Sequence, residues 1–327
     1  MIKIFESDAI NFSSNGLKVI KPISCKETKK KSLNGWEITL QTDVKYKKYI
    51  VKDNLVVIKS KSKANPQAFR LQDPKIINNT IEVTAQHIMF DANNYFLYDV
   101  RPTNKSALSS LEYVTERTDK KCSFIYDSDV SGTDTCYFET KTLFEAWQII
   151  EERYNGVFDA DNYHISFKAN PGRDTGKMIV YNKNLQSFTA IEDWSDVITR
   201  IYPVGDNGLK LPERFIDADV SYPQPYTRRI DFNFNLNDDG NVSDDIPEEE
   251  KIEELRQKAI DYLNANKKPR VSYELSANID EDYDVNDKII VKHPLVSLET
   301  EVQEYTYDHI FKKTESIVFG NYTRDIK

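Results

Sequence analysis

The four histidines are the side chains best suited to catalysis or metal binding, since imidazole titrates near neutral pH. They are His87, His164, His293 and His309. No HExxH motif occurs, and no two histidines are close enough in sequence for one helix or strand to present both to zinc. The apolar neighbours of His87 indicate a core histidine. His164 alternates with Tyr163 and Ile165, which indicates a surface or edge role rather than catalysis.

Other catalytic signatures are also missing from the sequence. It contains no GxSxG elbow, no Walker loop and no GxGxxG, and Cys25, Cys122 and Cys136 stand in no nucleophile motif. We expect these cysteines to be reduced, and a pairing of Cys122 with Cys136 across a predicted hairpin turn is the alternative. A pair of carboxylates could serve glycoside hydrolysis, but 53 acidic residues guarantee some such pair by chance. We therefore expect no catalytic residue, no cofactor and no enzyme activity.

One acidic string imitates a calcium loop. Asn235, Asn237 and Asp239 occupy the first, third and fifth ligand positions, and Gly240 occupies the sixth, where a sharp turn is needed. The twelfth position is Ile246, where a bidentate carboxylate belongs. We interpret the string as an acidic turn without an ion, and a calcium site is the alternative.

Composition indicates a soluble protein of two or three domains. The chain has 327 residues, 39% hydrophobic and 30% charged, with no apolar run long enough to cross a bilayer and no signal peptide. We expect synthesis in a cytoplasm. The net charge of −9 argues against nucleic acid as a bound ligand. We expect the clustered lysines at 29–31 and at Lys59, Lys61 and Lys63 to be solvated at hairpin ends.

Short runs of β-branched and aromatic residues predict antiparallel strands at both ends of the chain. Asn34-Gly35 before Trp36–Leu40 predicts a hairpin with a two-residue turn. The closing residues predict a ladder of four strands, at 270–275, 288–293, 301–308 and 316–321.

Three helices are predicted between these strand regions. Asn104 is the expected cap of the first, and the capping box Thr142 to Glu145 opens the second. In the third, Ser243 or Asp245 is the expected cap and Pro247 the first helical residue. The middle of the chain is therefore predicted to be α+β.

Several strings, in order, resemble phage and prophage tail proteins of the prophage endopeptidase tail, or tail-associated lysin, family. Those resembling the opening domain are Ser32–Leu40, Ala68–Leu71 and Ile81–Asp91. Those resembling the closing part are Asn266–Leu275, Tyr283–Asp287, Val302–Asp308 and Val318–Asn321.

The resemblance implies a baseplate-hub fold of class α+β, mainly antiparallel β, with two β-barrel tube domains and a peripheral α+β region. The implied boundaries are 1–95 for the first tube domain and 96–195 for the α+β domain. The second tube domain would combine 196–204 with 268–327, and 205–267 would be an insertion with irregular strands and one helix.

The resemblance also implies a structural role at the virion tail tip. Such a hub would be a homotrimer that contacts distal tail, tail tube and tape-measure proteins, while genome DNA passes through without specific binding and the chain inserts into no membrane. Relatives often continue into a peptidoglycan-cleaving region, which we do not expect in a chain ending at Lys327. The alternatives are a peptidoglycan hydrolase and a carbohydrate-binding receptor module that uses exposed tyrosines.

Overall fold

The computed structural model describes residues 2–183, 185–205, 208–232, 247–277, 283–294 and 296–320. The chain divides into two compact units. The first unit contains Met1–Thr189 and Glu274–Phe319, and the second is built around Ala190–Tyr273.

The described residues are mostly in β-strands. The strands are β1 (Ile2–Phe5), β2 (Lys18–Ile20), β3 (Pro22–Lys30), β4 (Trp36–Asp43), β5 (Leu55–Ile58), β6 (Gln67–Leu71), β7 (Lys75–Ile77), β8 (Thr80–His87), β9 (Phe96–Val100), β10 (Lys105–Ser106), β11 (Ile125–Ser128), β12 (Thr133–Asp134), β13 (Phe138–Thr142), β14 (Val157–Asp161), β15 (His164–Lys168), β16 (Asp174–Val180), β17 (Leu185–Asp193), β18 (Arg200–Val204), β19 (Ile216–Asp217), β20 (Thr227–Asp231), β21 (Arg270–Ala277), β22 (Lys288–His293), β23 (Val296–Asp308) and β24 (Lys313–Gly320). The α-helices are α1 (Ala107–Thr115), α2 (Leu143–Tyr154) and α3 (Glu248–Asn266).

The main sheet of the first unit combines strands from the two ends of the chain. Its order is β24-β23-β3-β4-β8-β6-β5-β1-β2, with β7 beside β8 and β22 beside β23. Strand β23 is long enough to pair antiparallel with β22 through its first half and with β3 through its second. The predicted closing ladder is therefore confirmed for the described strands, and it continues directly into the sheet of the opening residues.

The hairpin of β3 and β4 is confirmed, but its turn is not the predicted one. The two strands pair antiparallel from Lys29 and Trp36 outward. A short 3-10 helix, Ser32–Asn34, connects them, and the positive φ values lie at Ser32 (53°) and Gly35 (139°) rather than at Asn34 and Gly35. Ser32 Oγ is used elsewhere, as the acceptor of the Phe158 amide, and this bond favours the longer connection.

Helices α1 and α2 pack into the same core as the opening strands. Leu143, Ala146, Trp147 and Ile150 of α2 are all buried, as their helical spacing predicts. The cap of α1 is Ser106, whose hydroxyl accepts the Ser109 amide, so the expectation that Asn104 caps this helix is wrong. The capping box of α2 is present with both hydrogen bonds. The Glu145 amide donates to Thr142 Oγ1, and the Thr142 amide donates to the Glu145 carboxylate.

Replacing Thr142 with alanine is expected to lower the free energy of unfolding by about 1 kcal/mol, because the Glu145 amide loses its acceptor at the helix end. Thr142→Ser retains the hydroxyl and should lose only a fraction of that. Urea denaturation followed by circular dichroism measures both variants. Equal losses would show that the threonine acts through its methyl group rather than through the cap.

The second unit has its own small core. Strand β18 lies between β19 and β20, antiparallel to the first and parallel to the second. The buried face of α3 is formed by Leu255, Ala259 and Leu263. Pro247 is the residue before the first helical residue, Glu248, rather than the first helical residue itself. The predicted caps Ser243 and Asp245 lie outside the described residues.

The predicted class, α+β with mainly antiparallel strands, is confirmed. The two tube domains and their boundaries remain a prediction.

Candidate functional site: a buried ionic junction

Strand β3 points two charged side chains into the interior of the first unit. Its alternation buries Cys25, Glu27 and Lys29 on one side. A buried charge is costly unless an opposite charge or hydrogen bonds compensate it. We call the resulting cluster the ionic junction. Its members are Glu27, Lys29, Asp159, Asp284 and His309.

The Glu27 carboxylate has no solvent exposure, and both of its oxygens accept hydrogen bonds. Its Oε1 accepts hydrogen bonds from Trp36 Nε1 at 2.9 Å and Ser60 Oγ at 2.5 Å. The Tyr305 hydroxyl lies 3.3 Å from the same oxygen. His309 Nε2 is 2.8 Å from Oε2, so this nitrogen carries the proton that it donates to the carboxylate.

Burial and these donors act in opposite directions on the pKa of Glu27. Burial alone would raise it, since desolvation disfavours the charged form. The hydrogen bond and charge of His309, with the bonds from Ser60 and Trp36, outweigh burial and hold the pKa at about 2. Glu27 is therefore an anion across the physiological range, and it holds the end of β23 against β3.

Lys29 is the cation of the junction, and it is 3% exposed. Its Nζ lies 3.1 Å from both carboxylate oxygens of Asp284 and 3.1 Å from Asp159 Oδ1. It also stands 4.6 Å from the centroid of the Trp36 ring, a cation–π distance. Burial would lower the pKa of Lys29, but the charges of Asp284 and Asp159 raise it above its ordinary value. The amine is therefore charged.

The two aspartates that flank Lys29 differ in their pKa. Burial would raise the pKa of Asp159, but Lys29 and Lys63, which both contact this carboxylate, hold it at about 2. Burial dominates at Asp284 and raises its pKa despite the charge of Lys29. Asp159 therefore loses its proton at a lower pH than Asp284 does.

His87 lies beside the junction and is a core histidine, as the sequence indicated. Its ring stacks on Trp36 at 4.1 Å between centroids and an angle of 10°. Nδ1 accepts the Met89 amide at 3.2 Å, so Nε2 donates to Gln67 Oε1 at 3.1 Å. Burial lowers the pKa of His87 to about 3, with the nearby charges of Lys29 and Lys63 acting in the same direction. It is neutral and fully bonded.

The other sequence-derived candidates lie apart from the junction. His164 is at the surface in β15, 2.9 Å from Asp127, in agreement with its interpretation. His293 ends β22 and packs edge-on against Tyr181. The calcium-loop candidates Asn235, Asn237 and Asp239 lie outside the described residues. Within the described ranges, no group of three histidine, cysteine or acidic residues is placed to hold a metal ion.

The sequence did not identify the ionic junction. The expectation that the clustered lysines are all solvated was wrong for two of them. Lys29 is buried, and Lys61 Nζ donates to the Tyr283 carbonyl at 2.7 Å. The available signal was the alternation of Cys25, Glu27 and Lys29 in one strand, which places both charges on the side of the apolar cysteine. The charged partners Asp159, Asp284 and His309 are more than a hundred residues away in sequence, so no local pattern identifies them.

The junction is suited to holding chain segments together rather than to chemistry. Each of its charged groups contacts an opposite charge or a hydrogen-bond partner within the first unit. Glu27 and Lys29 come from the opening strands, Asp159 from β14, and Asp284 and His309 from the closing region. No helix in the described part of the chain is long and apolar enough to span a membrane.

Comparison of the sequence with known families gives one match. The model of the family described as "Prophage endopeptidase tail" matches residues 173–327. No curated protein matches the chain.

Solved structures with a similar fold include prophage tail proteins, a phage baseplate chain and a component of the type VI secretion system from E. coli. A prophage tail protein, gp18, from Listeria monocytogenes EGD-e has 14% sequence identity and a TM-score of 0.65, covering 98% of this chain and 94% of that one. A tail protein from Neisseria meningitidis MC58 has 6% identity and a TM-score of 0.66, covering 98% and 96%. A chain of the phage P2 baseplate has 12% identity and a TM-score of 0.50, covering 99% of both. These matches show that the chain has the fold of phage tail proteins, and the family model supports the resemblance over residues 173–327.

Proposed function

Since residues 173–327 match the prophage endopeptidase tail family and the whole chain has the fold of prophage tail proteins, we propose that the chain is a structural hub of the tail tip. In this role it assembles as a homotrimeric ring around the DNA channel. The ring joins the tail tube to the distal tail and tape-measure proteins and to the apparatus that contacts the host. The protein is made in the host cytoplasm and incorporated into the virion.

The observation that carries this proposal is the fusion of the opening and closing strands into one sheet. Strand β3 pairs with β23 over Lys26–Lys30 and Glu304–Asp308. The ionic junction lies under this pairing and adds a contact from β14. A hub must transmit force between tail and host without internal sliding. A continuous sheet with a buried ionic junction supports such rigidity within the first unit.

The two predicted tube domains, 1–95 and 196–204 with 268–327, would supply two modules for each chain and six for each trimer. Pairing between neighbouring modules would satisfy the sheet edges that lie where those modules meet. The net charge of −9 per chain suits a channel that DNA traverses without binding.

Light scattering coupled to size exclusion tests the oligomeric state directly. We expect a species with three times the 38.0 kDa mass of one chain. Dilution should reveal dissociation if the contacts are modest, so loading should span about 1 to 100 µM. A chain that remains monomeric over this entire range would overturn the trimeric ring.

We propose that the chain has no hydrolase activity. In the ionic junction, the pKa of Glu27 is lowered by His309 and that of Asp159 by Lys29 and Lys63, so neither carboxylate is available as a general acid. Incubation with purified bacterial cell walls should release no soluble fragments. Release of peptide fragments would instead support the endopeptidase alternative, and saturable binding to cell-wall glycans without cleavage would support the receptor module.

A further inference from the structure

A cleft of about 1040 Å³ opens in the first unit beside the ionic junction. Its walls come from β1, β2, the start of β3, the end of β5 and the turn that joins β23 to β24. Apolar side chains line one part, where Val19 is half-buried and Ile310 is exposed above the buried Ile20 and Ile58. Lysines line the rim, and the exposed ones are Lys21, Lys59, Lys312 and Lys313.

The cleft is a basic surface in an acidic chain. No aspartate or glutamate is among its described lining residues, and Lys21, Lys59 and Lys312 have no ion-pair partner in the described part of the chain. The chain as a whole carries a net charge of −9. A concentration of lysines against that background favours an anionic ligand.

Strand β2, which contributes Val19 and Ile20 to the lining of this cleft, has one unpaired edge among the described strands. The sheet order runs from β3 through β4, β8, β6, β5 and β1 to β2, although Lys21 alone separates β2 from β3 in sequence. The sheet therefore curls back on itself. Strand β3 turns its second edge to β23, while β2 pairs only with β1 among the described strands. The outer edge of β2 is left with backbone donors and acceptors for another strand.

The combination of features distinguishes between classes of anion. Phosphates and nucleic acids would use the lysines but not the strand edge or the apolar wall. An extended peptide uses all three, because its backbone pairs with the edge and its side chains alternate between the two sides of the strand. Acidic side chains can then meet the lysine rim, while apolar ones cover the half-buried Val19 and the exposed Ile310.

We propose that this cleft binds an extended acidic segment of another protein chain, which adds as a strand to the edge of β2. The inference stands on the cleft itself and holds whether or not the chain forms a trimer. It assigns a specific surface on the first unit for docking a partner.

The test uses the full chain and a fluorescent seven-residue peptide that alternates glutamate and valine. Anisotropy titration should show saturable binding. A variant with Lys59→Glu, Lys312→Glu and Lys313→Glu should bind at least tenfold more weakly. The matched control with Lys75→Glu, Lys120→Glu and Lys121→Glu makes the same charge change at exposed sites outside the cleft, and should bind like the wild type. Circular dichroism verifies that both variants are folded.

Two further probes separate strand addition from simple charge attraction. The same peptide with alternate backbone amides methylated keeps its charge but loses donors, and should bind at least tenfold more weakly than the parent. A single-stranded DNA oligonucleotide should compete poorly. The proposal is overturned if the parent peptide does not bind, if the rim variant binds as well as the control, if methylation has no effect, or if DNA binds more tightly than the peptide.

Discussion

Replacement of Glu27 with alanine is expected to lower the free energy of unfolding by about 3 to 5 kcal/mol, the range for removal of one partner from a buried ion pair. The substitution leaves Trp36 Nε1, Ser60 Oγ and His309 Nε2 without the carboxylate that accepts from all three, at a position with no solvent exposure. It also removes the buried contact that holds the end of β23 against β3. Denaturant unfolding followed by tryptophan fluorescence measures the loss, since Trp36 reports directly on this site.

Glu37→Ala is the matched control, because Glu37 lies in β4, on the neighbouring strand, with its side chain exposed. It should change the unfolding free energy by no more than about 0.5 kcal/mol. Glu27→Gln keeps an oxygen acceptor but loses the charge opposite His309, and should fall between the two. Similar small losses for Glu27→Ala and Glu37→Ala would show that the junction contributes little to stability.

Local features of the fold were the most predictable from sequence. The capping box at Thr142 and the apolar stripe of α2 depend on residues within one or two turns, and both are present in the structure. The error at α1 is also local. Asn104 adopts a positive φ of 48°, and Ser106, two residues later, has the extended backbone that a cap requires.

The junction could not be predicted because its contacts are distant in sequence. Lys29 contacts Asp284, which lies 255 residues later in the sequence, and Glu27 contacts His309, which lies 282 residues later. A run of lysines at 29–31 is ordinarily a solvated feature, and only the pairing of β3 with β23 makes its first member a buried cation. The resemblance predicted that the two ends of the chain form similar modules, but it did not predict that they share one sheet.

Replacement of Lys29 with methionine is expected to lower the free energy of unfolding by about 3 kcal/mol at pH 7, the low end of the range for a broken buried ion pair. It removes the cation shared by two half-buried carboxylates, of which Asp159 keeps its contact with Lys63. Methionine has a similar length and retains the packing against Trp36. Lys30→Met is the matched control on the opposite face of β3, where the side chain is exposed and lies 3.4 Å from Glu304. The control should lose at most about 1 kcal/mol, as expected for a surface ion pair.

The loss in Lys29→Met should also depend on pH, in a direction fixed by the aspartates. In the wild type the pKa of Asp159 is lowered to about 2. Its ionised form therefore contributes stability above the unfolded pKa of about 3.9, and this contribution is lost as pH falls toward 2. Without Lys29 the pKa of both Asp159 and Asp284 rises, so the folded variant takes up protons at a higher pH. The difference in unfolding free energy between wild type and variant should be largest near neutral pH and should decrease on acidification. A difference in unfolding free energy that stays constant from pH 7 down to about pH 2 would mean that lost packing, rather than lost charge pairing, causes the destabilisation.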